Sequence, residues 1–532
     1  MASSGSPTVR EASAVSTATP QAADDFVLQL AGITKTFGPV VANHDVDFTL
    51  RRGEIHALVG ENGAGKTTLM RILYGMYQPD AGSIRLGGRE VTLKRPTDSI
   101  EHGIGMVHQH FMLVPGFTIA ENVTLGSEPR KHGLFDNAAA KAALEEPMRK
   151  LGLSIDPDTI TGTLNVATQQ KLEIIKVLYR GANLIILDEP TAVLTPQETE
   201  ELFELLKRLA AEGSSVIFIS HKLREVFALA DRITVLRNGE TVETFEAADA
   251  DPAMVVAAMT GRSDVNLGRV ERDRPSDISA FTVEHLSTIK QGSDAALNAV
   301  SFQLRAGEVL GIAGVEGNGQ ASLAEALIGT RPLTAGQIRL GETQLESLSV
   351  NDRRAAGLSY VPEDRHLEGL PLNGTVAEGL AAGVLRRDTS PLGLGAAFTS
   401  KVRAWGTEMI RKYAIKTSGL DARNSTLSGG NQQKIVMARE LEDEPECIIL
   451  AQPTRGVDLG AIEFLYNQVA EATHRGCAVL LISADLDEIL RLSDRVLVMF
   501  GGSIVAERSA TATSREELGM YMMGIQQTEV SA

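Results

Sequence analysis

The chain has 532 residues and a formal net charge of −17 at pH 7, too long for one ordinary core and too acidic to favour a nucleic-acid-binding surface. Its two cysteines, Cys447 and Cys477, exclude a disulfide framework, a four-cysteine zinc site and an iron–sulfur cluster, and fit a reducing cytoplasm. No apolar run approaches the ~20 residues that a membrane-spanning helix needs, so a role in transport calls for separate membrane subunits.

Residues 1–25 are rich in Ser, Ala and Thr and have no continuous apolar stretch. They read as a disordered tail and not a signal peptide, with folded structure expected from Phe26. The first chemical landmark follows the apolar, strand-like Ile55-His56-Ala57-Leu58-Val59: Gly60-Glu61-Asn62-Gly63-Ala64-Gly65-Lys66-Thr67-Thr68, leading into helix-like Leu69 to Leu73. Its spacing fits G-x-x-x-x-G-K-[ST], a phosphate-binding loop in which the glycines turn backbone N–H groups toward phosphate oxygens and the helix adds its positive end. Gly60, Asn62, Gly63 and Gly65 line the loop. Lys66 is expected to reach the β- and γ-phosphates and Thr67 to offer its hydroxyl to Mg²⁺, while Thr68 continues the helix start.

Further along, Gln109 in Met106-Val107-His108-Gln109-His110 stands at a strand end, a candidate to ligate Mg²⁺ and sense the nucleotide. The buried strand Leu184-Ile185-Ile186-Leu187 ends in two carboxylates. Asp188 is expected to hold Mg²⁺ and Glu189 to accept a proton from, or orient, the water attacking the γ-phosphate, because phosphoryl transfer needs little besides alignment and charge stabilisation. The amphipathic stretch Pro196 to Ala211 reads as a helix. The next strand, Val216-Ile217-Phe218-Ile219, leads to Ser220-His221, where His221 is placed to touch the γ-phosphate and hold Glu189 and the water. Phe37 is a candidate for stacking on adenine, although the burial of a strand end accounts for it equally well.

The chain then repeats itself. Leu50-Arg51-Arg52-Gly53-Glu54 matches Leu304-Arg305-Ala306-Gly307-Glu308 at an offset of 254 (307 − 53), whereas Leu164, Asp188 and His221 match Leu427, Ala451 and Ala484 at 263 (427 − 164). About nine residues are therefore inserted in the second copy, expected in the Gly/Ala-rich stretch near Ser390 to Ser400. Residues 26–261 and 280–524 read as two tandem nucleotide-binding domains, 262–279 as an exposed charged linker, and 525–532 as a second tail. Short β-branched segments alternating with helices predict an α/β fold with a largely parallel core sheet in each copy.

This set of motifs resembles the ATP-binding cassette family: phosphate loop, Gln109, Asp188-Glu189, His221 and, in the second copy, Leu427-Ser428-Gly429-Gly430-Asn431-Gln432-Gln433, which looks like the family's signature. The resemblance covers nearly the whole chain after the tail, twice and in order. It implies an antiparallel β subdomain and a helical subdomain beside each core sheet. It also implies head-to-tail packing, with each ATP between the phosphate loop of one cassette and the signature of the other. A serine hydroxyl and glycine amides at a helix start suit a second anion cradle.

The repeat's defects are segregated. Copy two has Gln320 and Ala321 at the lysine and hydroxyl positions, Ala451-Gln452 for the carboxylate pair, Ala484 for the histidine and Glu363 for the glutamine. Copy one has a worn signature, Leu164-Asn165-Val166-Ala167-Thr168, with Asn165 and Ala167 replacing serine and glycine. Head-to-tail pairing puts every loss in one composite site. The other unites Lys66, Thr67, Gln109, Asp188, Glu189 and His221 with Ser428, Gly429, Gly430 and Asp458. One hydrolysing site per chain is expected, and whether the second pocket holds ATP is left open.

Within the resembled family, the chain looks like the fused ATPases of simple-sugar importers. Gly314 to Gln320, Tyr360 to His366 and Ala451 to Asp458 are more similar to the branch importing nucleosides, with two transmembrane permeases and a substrate-binding lipoprotein. The resemblance thus implies a peripheral protein at the cytoplasmic face of the membrane, with ribose- or galactose-type sugar as the alternative cargo. A soluble twin-cassette factor acting on ribosomes is the competing class, disfavoured by the short linker and the one damaged site. DNA-repair relatives carry zinc cysteines, which are lacking here.

Overall fold

The computed structural model describes residues 26–38, 40–108, 112–152, 154–191, 194–220, 222–262, 269–270, 272–291, 294–382 and 400–525. The readings made for Gln109, His221, residues 1–25 and residues 526–532 lie outside these.

The first half is organised around a six-stranded sheet in the order Glu240–Glu246, Arg232–Arg237, Ile55–Val59, Ser215–Ile219, Leu184–Asp188, Ile104–Val107. It is parallel except at Glu240–Glu246, which runs antiparallel to its neighbour. Ile55–Val59 and Leu184–Asp188 are buried along their whole length, as strands covered on both faces must be, and this is why they read as unbroken apolar runs. One face packs Leu58, Ile186 and Ile217 on Leu69, Ile72 and Leu73 of the helix after the phosphate loop. The other packs Val59, Leu187 and Phe218 on Leu202, Leu205 and Leu206 of the helix Pro196–Ala211.

The second half repeats the arrangement with Leu358–Val361, Cys447–Ala451, Ala478–Ser483, Val309–Ala313, Arg495–Phe500 and Ser503–Ser509, the same order read from the opposite edge. Each half also carries a four-stranded antiparallel sheet, built on Phe26–Phe37 in the first and Ser279–Thr288 in the second. Each carries a group of helices between its core strands as well, including Asn137–Lys150 with Val166–Tyr179 and Ser400–Lys412 with Gly429–Leu441. The fold class read from the alternation of strands and helices therefore holds.

One expectation needs correction. Thr118 and Thr375 are equivalent capping-box residues at the starts of Ile119–Thr124 and Val376–Ala381. Their offset of 257 (375 − 118) exceeds the 254 (358 − 104) of the preceding strands Ile104–Val107 and Leu358–Val361 by three. Three of the nine extra residues thus enter between Val361 and Thr375, a span that includes the π-helical turn Arg365–Gly369. The remaining six fall later, in a span that includes residues 390–399, outside the described residues. Among its described residues the linker 262–279 is largely exposed, as its charge suggests, and is pinned at a few points. Arg269 and Arg272 donate to the carbonyls of Ser493 and Leu492, Arg272 pairs with Asp494 at 3.0 Å with its side chain only 4% exposed, and Val270 packs on the second core.

The halves meet face to face. Gln197 on Pro196–Ala211 lies against Gly519 on Arg515–Met522, Arg262 pairs with Glu463 at 3.0 Å, and Leu459 and Ile462 of the second half pack into the first half's core.

Candidate functional site

The phosphate loop is shaped by positions that only glycine fills. Gly65 has φ 97°, and a Cβ there would lie 2.4 Å from the Ala42 carbonyl oxygen and 2.5 Å from Asn43 Nδ2. Gly60 approaches the neighbouring strand so closely that a Cβ would stand 2.2 Å from the Leu236 carbonyl oxygen. The helix Lys66–Leu73 begins at Gly65 with no side-chain cap, so its first amides depend on other acceptors.

Lys66 is buried and bends back to donate to the carbonyls of Gly60 at 2.7 Å and Glu61 at 3.0 Å. Burial lowers its pKa, and Glu189, Asp188 and Glu61 pull it up again, which puts all three carboxylates within electrostatic reach of this one ammonium. Asp188 ends its strand with 7% exposure, and burial followed by the charge of Glu189 pushes its carboxyl up to about 6. Thr67 and Thr68 are half-buried in the first turn, as is Asn62 in the loop. Phe37 is 42% exposed and meets Tyr77 edge-on at 5.2 Å between ring centroids, so burial of a strand end does not account for it.

Glu189 adopts φ 50°, a left-handed conformation unusual for a side-chain-bearing residue, and its amide donates to Ile219 on the next strand at 3.0 Å. The equivalent Gln452 has φ 47° and the same kind of bond, to Ile482 at 2.8 Å. Its side-chain oxygen accepts from the Ala484 amide at 3.3 Å.

The second half reaches the first half's phosphate loop through the segment after its degenerate carboxylate position. Glu61 lies beside Gly460 at the start of the helix Leu459–His474, where a Cβ would stand 3.7 Å from Glu61 Oε1, and burial and the charge of Asp458 raise its pKa against the nearby Gly460 amide. A Cβ on Gly430 would meet Asp458 Oδ2 at 2.7 Å, and one on Gly429 would meet the Gly456 carbonyl oxygen at 2.6 Å. Ser428 caps the helix Gly429–Leu441. The Ser428 to Gly430 turn, Asp458 and Glu61 therefore form a continuous chain of contacts between the two halves.

Lys416 also acts electrostatically on Glu61 across this boundary. Sequence reasoning assigned no role to Glu61, Gly460 or Lys416. Their proximity depends on how the halves pack, and no spacing encodes it.

The parts of the second pocket differ. Gln320 is buried and folded against Gly314, with its Oε1 lacking a hydrogen-bond partner among the described residues. Glu363, equivalent to Gln109, is ion-paired with Arg455. Asn165 caps the helix Val166–Tyr179 by accepting from Thr168 at 2.9 Å, so it keeps the capping role of Ser428 while changing the group presented.

The family model described as ABC transporter matches residues 43–192 and again 297–455. The chain is 41% identical to the nucleoside import ATP-binding protein NupA of Lactococcus lactis subsp. cremoris, over 94% of this chain and 99% of that one. It is 40% identical to the guanosine import ATP-binding protein NupO of Bacillus subtilis, covering 95% and 99%. It is also 40% identical to the ribose import ATP-binding protein RbsA 2 of Streptomyces coelicolor, covering 92% and 93%.

Proposed function

The chain belongs to the ABC transporter family, with two ATP-binding cassettes in one polypeptide, and from that premise we propose that it is the ATP-hydrolysing, energy-coupling subunit of a nucleoside importer with one competent ATP pocket per chain. The observation that carries this reading is the contact chain from the first phosphate loop through Glu61, Gly460 and Asp458 to Gly430. It brings the intact signature to the intact loop.

In this reading the amides of Gly60 to Thr68 cradle the phosphates and Lys66 leaves its loop carbonyls to neutralise phosphate charge. Phe37 offers an exposed ring to adenine. Ser428, Gly429, Gly430 and Asp458 close the pocket from the other half. Glu189 orients the attacking water and takes its proton, with Gln109 and His221 completing the catalytic set.

Thr67, Asp188 and Gln109 supply hard oxygen donors of the kind Mg²⁺ takes alongside phosphate oxygens, and the buried Asp188 carboxyl, raised to about 6, suits a site completed by a cation. Bound there, Mg²⁺ would neutralise charge developing on the phosphates.

No helix among the described residues is long and apolar enough to cross a membrane. We assign import to two permease subunits and a substrate-binding lipoprotein, with this chain docked at the cytoplasmic face. A cavity of about 210 Å³ at the end of the strand Ile104–Val107, lined by Tyr74, Met106, His108, Met112, Lys176 and Arg180, supports docking there. Leu367, 85% exposed on the π-helical turn near Glu363, supports a contact at the second groove.

Co-purification tests the reading: two multi-span permeases and a nucleoside-binding lipoprotein are expected, with ATPase activity rising when the receptor is loaded. Co-sedimentation with ribosomes and no membrane partner would overturn it. The likeness to RbsA 2 keeps sugar as a second reading, and competition for uptake between nucleosides and ribose decides between the two cargoes.

A further inference from the structure

In the second half, the segment from Asp294 to Asn298 lies across the degenerate phosphate loop. Ala295 donates its amide to the Gly317 carbonyl at 3.1 Å, and Ser322, fully buried, donates its hydroxyl to the Ala295 carbonyl at 2.8 Å. The side chain of Asp294 enters the loop itself. Its Oδ1 accepts from the amide of Gly319 and its Oδ2 from the amide of Ser322, both at 2.7 Å. These amides belong to the first turn of the helix Gln320–Ile328, which has no other side-chain cap. Two short bonds from a carboxylate to helix N-terminal amides make a charge-assisted anion site that is already satisfied.

Among the described residues the first half lacks this device. His44 donates to Gly239 at 2.8 Å and Asn298 to Gly502 at 2.9 Å, which fixes the register of the two segments at 254 (298 − 44) and sets Asp294 opposite Val40. Val40 is 59% exposed and has no acceptor on its side chain. The amides of Gly65 and Thr68, equivalent to those of Gly319 and Ser322, therefore receive no carboxylate from that position.

We infer that the second phosphate loop is closed by the chain's own carboxylate. Asp294 takes the acceptor position that a nucleotide phosphate requires, so the pocket on Gly314 to Ser322 excludes nucleotide throughout the cycle. A phosphate placed there would lose two amide donors and face a like charge. The neutral Gln320 offers nothing to offset either loss. The inference rests on reading residues 60–68 and 314–322 as equivalent ATP loops, and it makes the asymmetry one of occupancy as well as chemistry.

The test is the number of ATP molecules bound per full-length chain, measured by equilibrium dialysis with radiolabelled Mg·ATP in a Glu189→Gln background that arrests turnover. One equivalent is expected in that background, and one when Gln320→Lys is added. A second appears only when Asp294→Ala joins Gln320→Lys. The increment between these last two proteins tests the plug, whereas the first equivalent and its loss in Lys66→Ala test the ATPase reading. Two equivalents before any change at 294, a second gained by Gln320→Lys alone, or no increment in a double variant with unaltered melting would each overturn the inference. If Asp294→Ala unfolds the chain, Asp294→Asn replaces it under the same criterion.

Discussion

The two phosphate loops lie at the same place on matching sheets, and each opens a helix behind a glycine in the left-handed region, Gly65 and Gly319. They differ in where the loop's polar groups are directed. In the first, a buried lysine stands among three carboxylates. In the second, the lysine is replaced by Gln320, and the amides are taken by Asp294. A backbone can therefore keep the shape of an anion cradle after its chemistry has been reversed, and side chains alone decide which loop serves.

The strongest way to break this comparison is to disable each loop in turn. Lys66→Ala or Glu189→Gln is expected to lower ATP turnover by about 10²-fold or more, the scale of losing one preorganised charge-stabilising group. Gln320→Ala and Gln452→Ala should leave it within about threefold. Steady-state phosphate release by the purified chain checks all four, and a Gln320→Ala effect as large as that of Lys66→Ala would refute the asymmetry.

A sharper comparison pits the two signatures against each other. Gly430→Ala introduces a methyl 2.7 Å from Asp458 Oδ2 and 2.9 Å from Ala461 Cβ, and should reduce turnover by roughly 10-fold by misplacing the opposing half. Ala167→Gly, its counterpart in the first half, should leave turnover unchanged and lower stability by at most about 1 kcal/mol, the difference in helix propensity. The same phosphate-release assay and a denaturant melt separate the outcomes.

Asp188 gives a pH-dependent test. Its folded carboxyl is raised from 3.8 to about 6, so the native state holds a proton that the unfolded chain releases. Stability falls as pH rises between these values, and the penalty is full above about 6 and absent below about 4. Asp188→Asn should stabilise the nucleotide-free chain by up to about 3 kcal/mol near neutral pH, at about 1.4 kcal/mol per pKa unit. The gain should shrink toward about pH 4.5 and vanish with saturating Mg·ATP. Denaturant melts across that range check it, and the same variant should be inactive.

The smallest expected effect concerns the worn signature. Asn165→Ala removes the cap on Thr168 and should cost about 1 kcal/mol of stability. Asn165→Ser should be neutral, and both should leave turnover within about twofold.

Much of the fold was legible because its signals are local. The runs at Ile55 to Val59 and Leu184 to Leu187 are strands because both faces are covered, and the helix Pro196–Ala211 has the bounds its amphipathic pattern indicates. The loop glycines, Lys66 and the Asp188-Glu189 pair form contiguous motifs, so their common location could be read from spacing. The contacts of Glu61 with Gly460 and of Asp294 with Gly319 and Ser322 could not, since each joins segments whose nearness is a product of folding. A signal for Asp294 did exist: the 254-residue offset sets it opposite Val40, a carboxylate against an apolar residue just ahead of equivalent loops. The three residues inserted between Val361 and Thr375 escaped notice because none of the matched landmarks lies between Glu363 and Leu427 to divide the offset.

The bend shared by Glu189 and Gln452 carries a last implication. Its left-handed backbone is held in both halves by an amide hydrogen bond to the adjacent strand, so the sheet dictates the posture and the side chain proposed as catalytic merely inherits it. Such a mount can accept glutamine or glutamate without rebuilding, and one base change in a codon interconverts them. On the role proposed for Glu189, competence at this position can thus be lost through one side chain while the architecture stays in place.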